Sequence, residues 1–190
     1  MGIDATGEPF PTLSDDGFES PSDHSVAEFR SHHPEIMDMD LSWITKGISI
    51  GLISLQKSRS GQVREIADDL RFNPEMSKVR FWFVYDYPVS LVDPFDLVWL
   101  AGAHVDPARD VKIYGPAEDS STGMLVMDAT IKRPDIDGFD RPWPNPVVMS
   151  NEMIELVDQD WNTYGLGGFI ESPSRKYSAL TRRGNARLEY

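Results

Sequence analysis

The sequence predicts an α/β fold: a single layered domain with a mostly parallel sheet flanked by helices, preceded by an irregular acidic N-terminal arm. Two observations lead there. Through the middle of the 190-residue chain, β-branched apolar runs alternate with stretches whose apolar residues recur at helical spacing. Residues 1–40, in contrast, are rich in Ser, Asp and Pro and hold ten acidic side chains against one basic, Arg30, a net of −9. With 40% hydrophobic residues the chain is long enough to bury one core without cross-links.

The elements follow in order. Gly47–Leu55 (GISIGLISL) reads as a buried strand, and Ser60-Gly61 as a turn. Val63, Ile66, Ala67 and Leu70 mark one face of a short helix over Gln62–Leu70, interrupted by Asn73-Pro74. Val79–Tyr85 (VRFWFVY) is a second strand, too apolar to be half exposed. Pro94–His104 is a helix with Asp93 as its N-cap. Val111–Tyr114 and Met124–Ala129 are short strands, the first following the Asp106-Pro107 turn. Asn151–Trp161 is a helix capped by Ser150 and ended by Gly165–Gly168. The expected organisation is an acidic extended arm over 1–40, an α/β domain over 41–170 and a basic tail over 171–190.

Charge and composition exclude several functions. The formal net charge is −13, which argues against a nucleic-acid partner and against an anionic membrane surface. No apolar run approaches the roughly 18 residues that span a bilayer. Met1–Pro11 lacks the basic and apolar regions of a secretory signal, so a cytoplasmic protein is expected. With no cysteine, disulfides, thiolate nucleophiles and Cys-ligated zinc are impossible. The tail carries five bases against two acids, a net of +3, and head and tail are expected either to be solvated or to attract each other.

Candidate chemistry is sparse. Three of the four histidines (His24, His32, His33) lie in the acidic head, where adjacent His32 and His33 point apart and make a poor metal site. His104 ends a helix. No phosphate-binding glycine loop, nucleophile elbow or zinc-binding H-E-x-x-H occurs. A short repeat stands out: Gly2-Ile3-Asp4-Ala5-Thr6 parallels Val126-Met127-Asp128-Ala129-Thr130.

Several segments, in order, resemble the C-terminal domain of the UbiD-type decarboxylases, which use prenylated FMN. They are Ser54–Gly61, Phe81–Tyr87, Asp93–Trp99 (DPFDLVW), Asp106–Asp110 (DPARD), Asp128-Ala129-Thr130 with Lys132, and Arg141-Pro142-Trp143-Pro144 with the helix ending at Trp161. Gly2–Thr6 is similar to the same family's Asp-Ala-Thr motif. The resemblance runs from Ile53 to about Leu166. It implies a detached C-terminal domain, because the family's flavin, divalent metal and catalytic Arg and Glu belong to a longer N-terminal part. It also implies subunit contacts and closure over the flavin.

Departures temper the second implication. The family's Tyr-Pro-Gly-His is Arg59-Ser60-Gly61-Gln62, its acidic run is reduced to Asp86, and an Arg after the Trp99 helix is His104. Lys57 and Arg59 remain as cations able to meet a flavin phosphate or, equally, as ordinary surface charge. Asp128 and Thr130 are expected to form a turn, and Asp106 and Arg109 a turn-stabilising pair. No catalytic or metal-binding residue is expected. The resemblance implies a small subunit of a multi-subunit UbiD-like carboxylase or decarboxylase acting on an aromatic acid. A larger UbiD-like partner would carry prenylated FMN and the divalent metal, and this chain would assemble the complex and cap the site. The alternative is a non-catalytic structural or regulatory interaction module that no longer contacts the flavin.

Overall fold

The computed structural model describes residues 19–115, 123–140 and 147–178. Five strands form one sheet in the order β1-β2-β3-β5-β4. The strands are β1 (Ile36–Asp40), β2 (Ile50–Leu55), β3 (Phe81–Asp86), β4 (Val111–Tyr114) and β5 (Met124–Asp128). The sheet is mixed, which corrects the mostly parallel expectation. Only β2, β3 and β5 run parallel, while β1 and β4 lie antiparallel at the two edges. The connections explain this. Residues 41–49 join β1 to β2 and residues 115–123 join β4 to β5, each shorter than the dozen or more residues that a parallel crossover needs.

Helices cover both faces. On one side α1 (Asp23–His32) and α2 (Gln62–Phe72) pack through Phe29, Ile66 and Leu70 onto Ile53, Leu55, Trp82, Val84 and Val126. On the other, α3 (Pro94–His104) packs Leu97 and Leu100 onto Leu52, Tyr85 and Ala129. The split follows strand periodicity, since Leu52 and Ile53, like Val84 and Tyr85, point to opposite faces. Asp93 caps α3 by accepting from the Phe95 N–H at 3.0 Å. Three further helices follow: α4 (Pro134–Asp137), α5 (Asn151–Asp160) and α6 (Ser174–Tyr177). Among the described residues no helix is long and apolar enough to cross a membrane.

Residues 23–40, read from sequence as part of an irregular arm, instead build α1 and the edge strand β1. Ser22 caps α1, accepting from the Ser25 N–H, with Asp23 in the first turn and Arg30 and His32 in the last, all suited to the helix dipole. His33 is buried against Phe29, its ring nitrogens 3.6 Å from Glu35 and 3.2 Å from Asp69. The acids of this segment are therefore partly used in packing. Residues 1–18 lie outside the described part of the chain.

The basic tail is described as far as Ser178 and pairs with acids of the body. Lys176 reaches Asp93 at 2.7 Å and Asp96 at 2.5 Å, the Tyr177 hydroxyl donates to Asp96, and Arg175 reaches Asp158 at 2.7 Å.

Gly51 faces Trp82 across the β2–β3 ladder, and a Cβ there would collide with the indole ring, itself fully buried. Overpacking of this kind costs about 1–3 kcal/mol. Gly51→Val is expected to lower the unfolding free energy in urea by that amount, whereas Gly102→Ala, inside α3 with open space around it, is expected to raise it by up to about 1 kcal/mol.

Candidate functional site

The parallel strands end together, and open α/β sheets place ligands in the crevice beyond such carboxyl ends. Here those ends carry Lys57 after β2, Asp86 at the end of β3, and Asp128, Thr130 and Lys132 at the end of β5. Two lysines are buried among them, with side chains 2% and 3% exposed. Lys57 Nζ lies 2.5 Å from Asp137 of α4 and 3.8 Å from Asp128, and donates to Thr130 Oγ1 at 3.0 Å. Lys132 Nζ lies 3.1 Å from Asp128 and 3.5 Å from Asp110, and donates to the carbonyls of Asp128 and Thr130. An unmatched buried ammonium would cost several kcal/mol, so each carboxylate is needed where it stands.

The neighbouring turns serve the same cluster. Thr130 donates through N–H and hydroxyl to Asp128 Oδ1, which is the expected turn. The Ile131 N–H donates to Asp86, and the Arg133 guanidinium to the Lys57 carbonyl at 2.8 Å. Arg109 grips Asp110 through two hydrogen bonds of 2.7 and 2.8 Å. The turn-stabilising pair expected between Asp106 and Arg109 is thus replaced: Arg109 pairs with Asp110, while Asp106 caps the turn by accepting from the Ala108 N–H. Burial pushes the Asp110 carboxyl up. Its bonds from Arg109 and from the Asp106 N–H, with the charge of Lys132, outweigh this and hold it below the usual range. Those Asp110 bonds in turn raise Arg109.

The two cations singled out from sequence have different surroundings. Lys57 is buried and fully engaged, as above. Arg59 is half exposed and makes a forked pair with Glu65 on α2. Neither presents an unpaired charge for a phosphate. Sequence reasoning did not single out Asp110 or Asp137 as part of a site, and it met Lys132 only as the residue following the Asp-Ala-Thr motif. His104 is buried and donates from Nδ1 to the Ala129 carbonyl at 3.1 Å. Among the described residues no cluster of three or more His, Asp or Glu is arranged to hold a metal ion. A recess of about 460 Å³ opens beside Arg109, Lys132 and Asp137.

Residues 21–122 match the 3-octaprenyl-4-hydroxybenzoate carboxy-lyase C-terminal domain. That is more than half of the chain, and the protein belongs to this family, the C-terminal domain of the UbiD class. The match begins before the segment that carries the motif resemblance and takes in α1 and β1. An uncharacterized protein of Archaeoglobus fulgidus is 32% identical over 143 residues, covering 70% of this chain and 30% of its own length. One from Aquifex aeolicus is 30% identical, covering 70% and 29%. The chain thus spans about 30% of the length of these relatives. Among solved structures, the vanillic acid decarboxylase of Sedimentibacter hydroxybenzoicus in closed form superposes with a TM-score of 0.57 at 15% identity, covering 75% of this chain and 31% of that one. The UbiD-class enzyme HmfF from Pelotomaculum thermopropionicum, in complex with FMN, gives 0.53 at 20% identity, covering 70% and 31%. At these identities the structures establish the shared fold.

Two outcomes are expected from the cluster. Lys132→Met removes the nearest cation from Asp128, leaving it Lys57 at 3.8 Å, and leaves Arg109 as the cation on Asp110; it should cost about 3–5 kcal/mol in urea unfolding, whereas Arg59→Ala, at an exposed pair, should leave the midpoint unchanged. Because Asp110 is lowered in the folded state, its contribution is present above the ordinary carboxylate range and is lost as pH falls through the folded value. Asp110→Asn should flatten the acid limb of a stability-against-pH curve below about pH 4.

Proposed function

We propose that this chain is a small subunit of a UbiD-like carboxylase or decarboxylase acting on an aromatic acid. A larger UbiD-like chain supplies the prenylated FMN, the divalent metal and the catalytic carboxylates. This chain assembles the complex and caps the flavin site. The observation that carries the reading is the family: residues 21–122 match the C-terminal domain of the UbiD class. HmfF was solved in complex with FMN, and the source of that cofactor in the present case is the partner. The flavin spreads carbanion charge during loss or gain of carbon dioxide, and the protein's task is binding and orientation.

The surface supports an assembling role. Val92 just before α3, and Phe95 and Val98 on it, are 84%, 74% and 74% exposed, apolar surface of the kind that a partner can cover. The rim of the sheet supports a weaker part for the flavin. A phosphate contact requires Arg59 to exchange Glu65, which an exposed pair does readily, or Lys57 to leave Asp137, which opens a buried cluster. Arg59 is the better of the two candidates. The closed state of Lys57 favours the second reading, an interaction module without flavin contact.

The chain purified alone is expected to be colourless and without decarboxylase activity, and bound flavin with turnover would overturn the proposal. Native mass spectrometry of the protein isolated from its source should show a larger UbiD-like chain in fixed stoichiometry; a spectrum of this polypeptide alone counts against it. Within that complex, an unchanged flavin content in Arg59→Ala and Lys57→Met would select the second reading.

A further inference from the structure

We propose that the hairpin made by α5 and the segment returning from it is a docking surface for a basic partner: an apolar segment of another protein flanked by lysines or arginines. The hairpin is grooved by a recess of about 260 Å³ whose walls include Met149, Met153, Ile154, Val157, Trp161 and Ile170. Small-molecule pockets run to roughly 300–1,000 Å³, so this one suits inserted side chains better than a whole ligand. Both walls are held in place. The Trp161 indole N–H donates to the Gly167 carbonyl at 3.1 Å, and its ring meets Phe169 edge-on at 5.6 Å. Arg175 ties the returning segment to Asp158 at 2.7 Å. Yet three of the wall residues also face solvent: Met149, Met153 and Ile170 are 53%, 42% and 66% exposed, and Leu166 and Phe169 shortly before Ile170 are exposed as well. Apolar exposure grouped in this way marks a contact surface, and methionines suit one because they repack to fit what they meet.

Charge selects the occupant. Residues 147–173 hold Glu152, Glu155, Asp158, Asp160 and Glu171 and no lysine or arginine. Asp158 and Glu171 line the recess and share Arg175, at 2.7 and 3.8 Å, so that edge is partly neutralised. Glu152, Glu155 and Asp160 are exposed and, among the described residues, have no cationic partner. Helical spacing sets two of them on the shoulders of the recess: Asp160 lies seven residues on from Met153, and Glu155 three before Asp158. Lys176, next in the chain after Arg175, is committed to Asp93 and Asp96. A second copy of this chain is a poor occupant, because a two-fold contact would set the same acids against each other. A basic, apolar segment answers both features, its apolar side chains entering the recess and its cations meeting the acidic shoulders. The surface belongs to this chain alone and is independent of the larger subunit proposed above.

The test uses the full chain with isotopically labelled methionine methyl groups, and as probe a peptide of leucines and lysines at helical spacing. The Met149 and Met153 signals should shift saturably at low salt, while those of Met37 and Met39 on β1, beside Asp38 and Asp40, stay in place. The apparent affinity should fall about tenfold or more at 0.5 M NaCl, where the screening length is about 4 Å. It should fall as far in Glu155→Lys/Asp160→Lys, two exposed substitutions whose folding is reported by an unchanged signal from the buried Met76. Should that variant not fold, the salt titration and a matched peptide with glutamate in place of lysine decide; the glutamate peptide should leave the signals unmoved. No shift at Met149 and Met153, equal shifts at Met37, or equal shifts from the glutamate peptide overturn the proposal. So do Met149 and Met153 signals that move on dilution of the chain alone, which would make a second copy the occupant. Signals that move without peptide in Arg182→Glu/Arg183→Glu/Arg187→Glu also overturn it, since the chain's own tail would then be the occupant.

Discussion

Two ammonium groups must be matched inside the carboxyl-terminal rim of the sheet, and the arrangement of that rim depends on it. Lys57 and Lys132 are too buried to be hydrated, so oxygens have to come to them from several directions. Those oxygens belong to the end of β5, to the turn before β4 and to α4. Each supplier is thereby fixed relative to the others. The β3–β5 register holds Asp128 beside Val84, the 106–110 turn presents Asp110, and α4 holds Asp137 through its bond from the Arg133 N–H. Four residues of helix would be marginal alone; α4 stands because its last residue closes a buried ion pair.

The rim is also balanced in sign. Lys57, Lys132, Arg109 and Arg133 stand with Asp86, Asp110, Asp128 and Asp137, and each has a partner within the group or a backbone carbonyl or N–H. A cradle for an anion has cations in excess, as phosphate sites do. This edge instead resembles a sealed network, in which every member is satisfied and the surrounding backbone is held rigid.

What the sequence revealed follows the strength of its local signals. The elements β2, α2, β3, α3, β4, β5 and α5 were legible because each combines a clear apolar period with a cap or turn residue, Asp93 and Ser150 among them. Helix α1 escaped because its core contribution rests on Phe29 with Val26 beside it, a weak period within an acidic stretch. Strand β1 escaped because Asp38 and Asp40 occupy an edge where one side of the strand meets solvent. The antiparallel edges were legible only through loop lengths. Of the site, the Asp128–Thr130 turn was local and readable. The burial of Lys132 beside Asp110 was not, since a lysine's burial is decided by residues distant in sequence. Arg109 found its nearest neighbour Asp110 in place of Asp106, a choice set by the fork geometry of the guanidinium.

A different physical regime governs the C-terminal part. Helix α5 and the segment returning from it form a hairpin closed by Arg175 on Asp158 and by the Ser174 hydroxyl accepting from the Met149 N–H. Its attachment to the body passes largely through Lys176 and Tyr177, which meet Asp93, Asp96 and the Trp99 ring. The side chains of Lys176 and Asp93 are about half exposed, so water and salt screen that bond in a way they do not screen the sheet rim. Elements held by exposed pairs open at lower free energy than those held by buried ones. The sheet rim is held by buried pairs, and the hairpin by pairs that are partly exposed, with Asp96 their buried member. The hairpin carries the exposed Leu166, Phe169 and Ile170. The rim is closed to water, and the hairpin is tied to the body by pairs that water reaches.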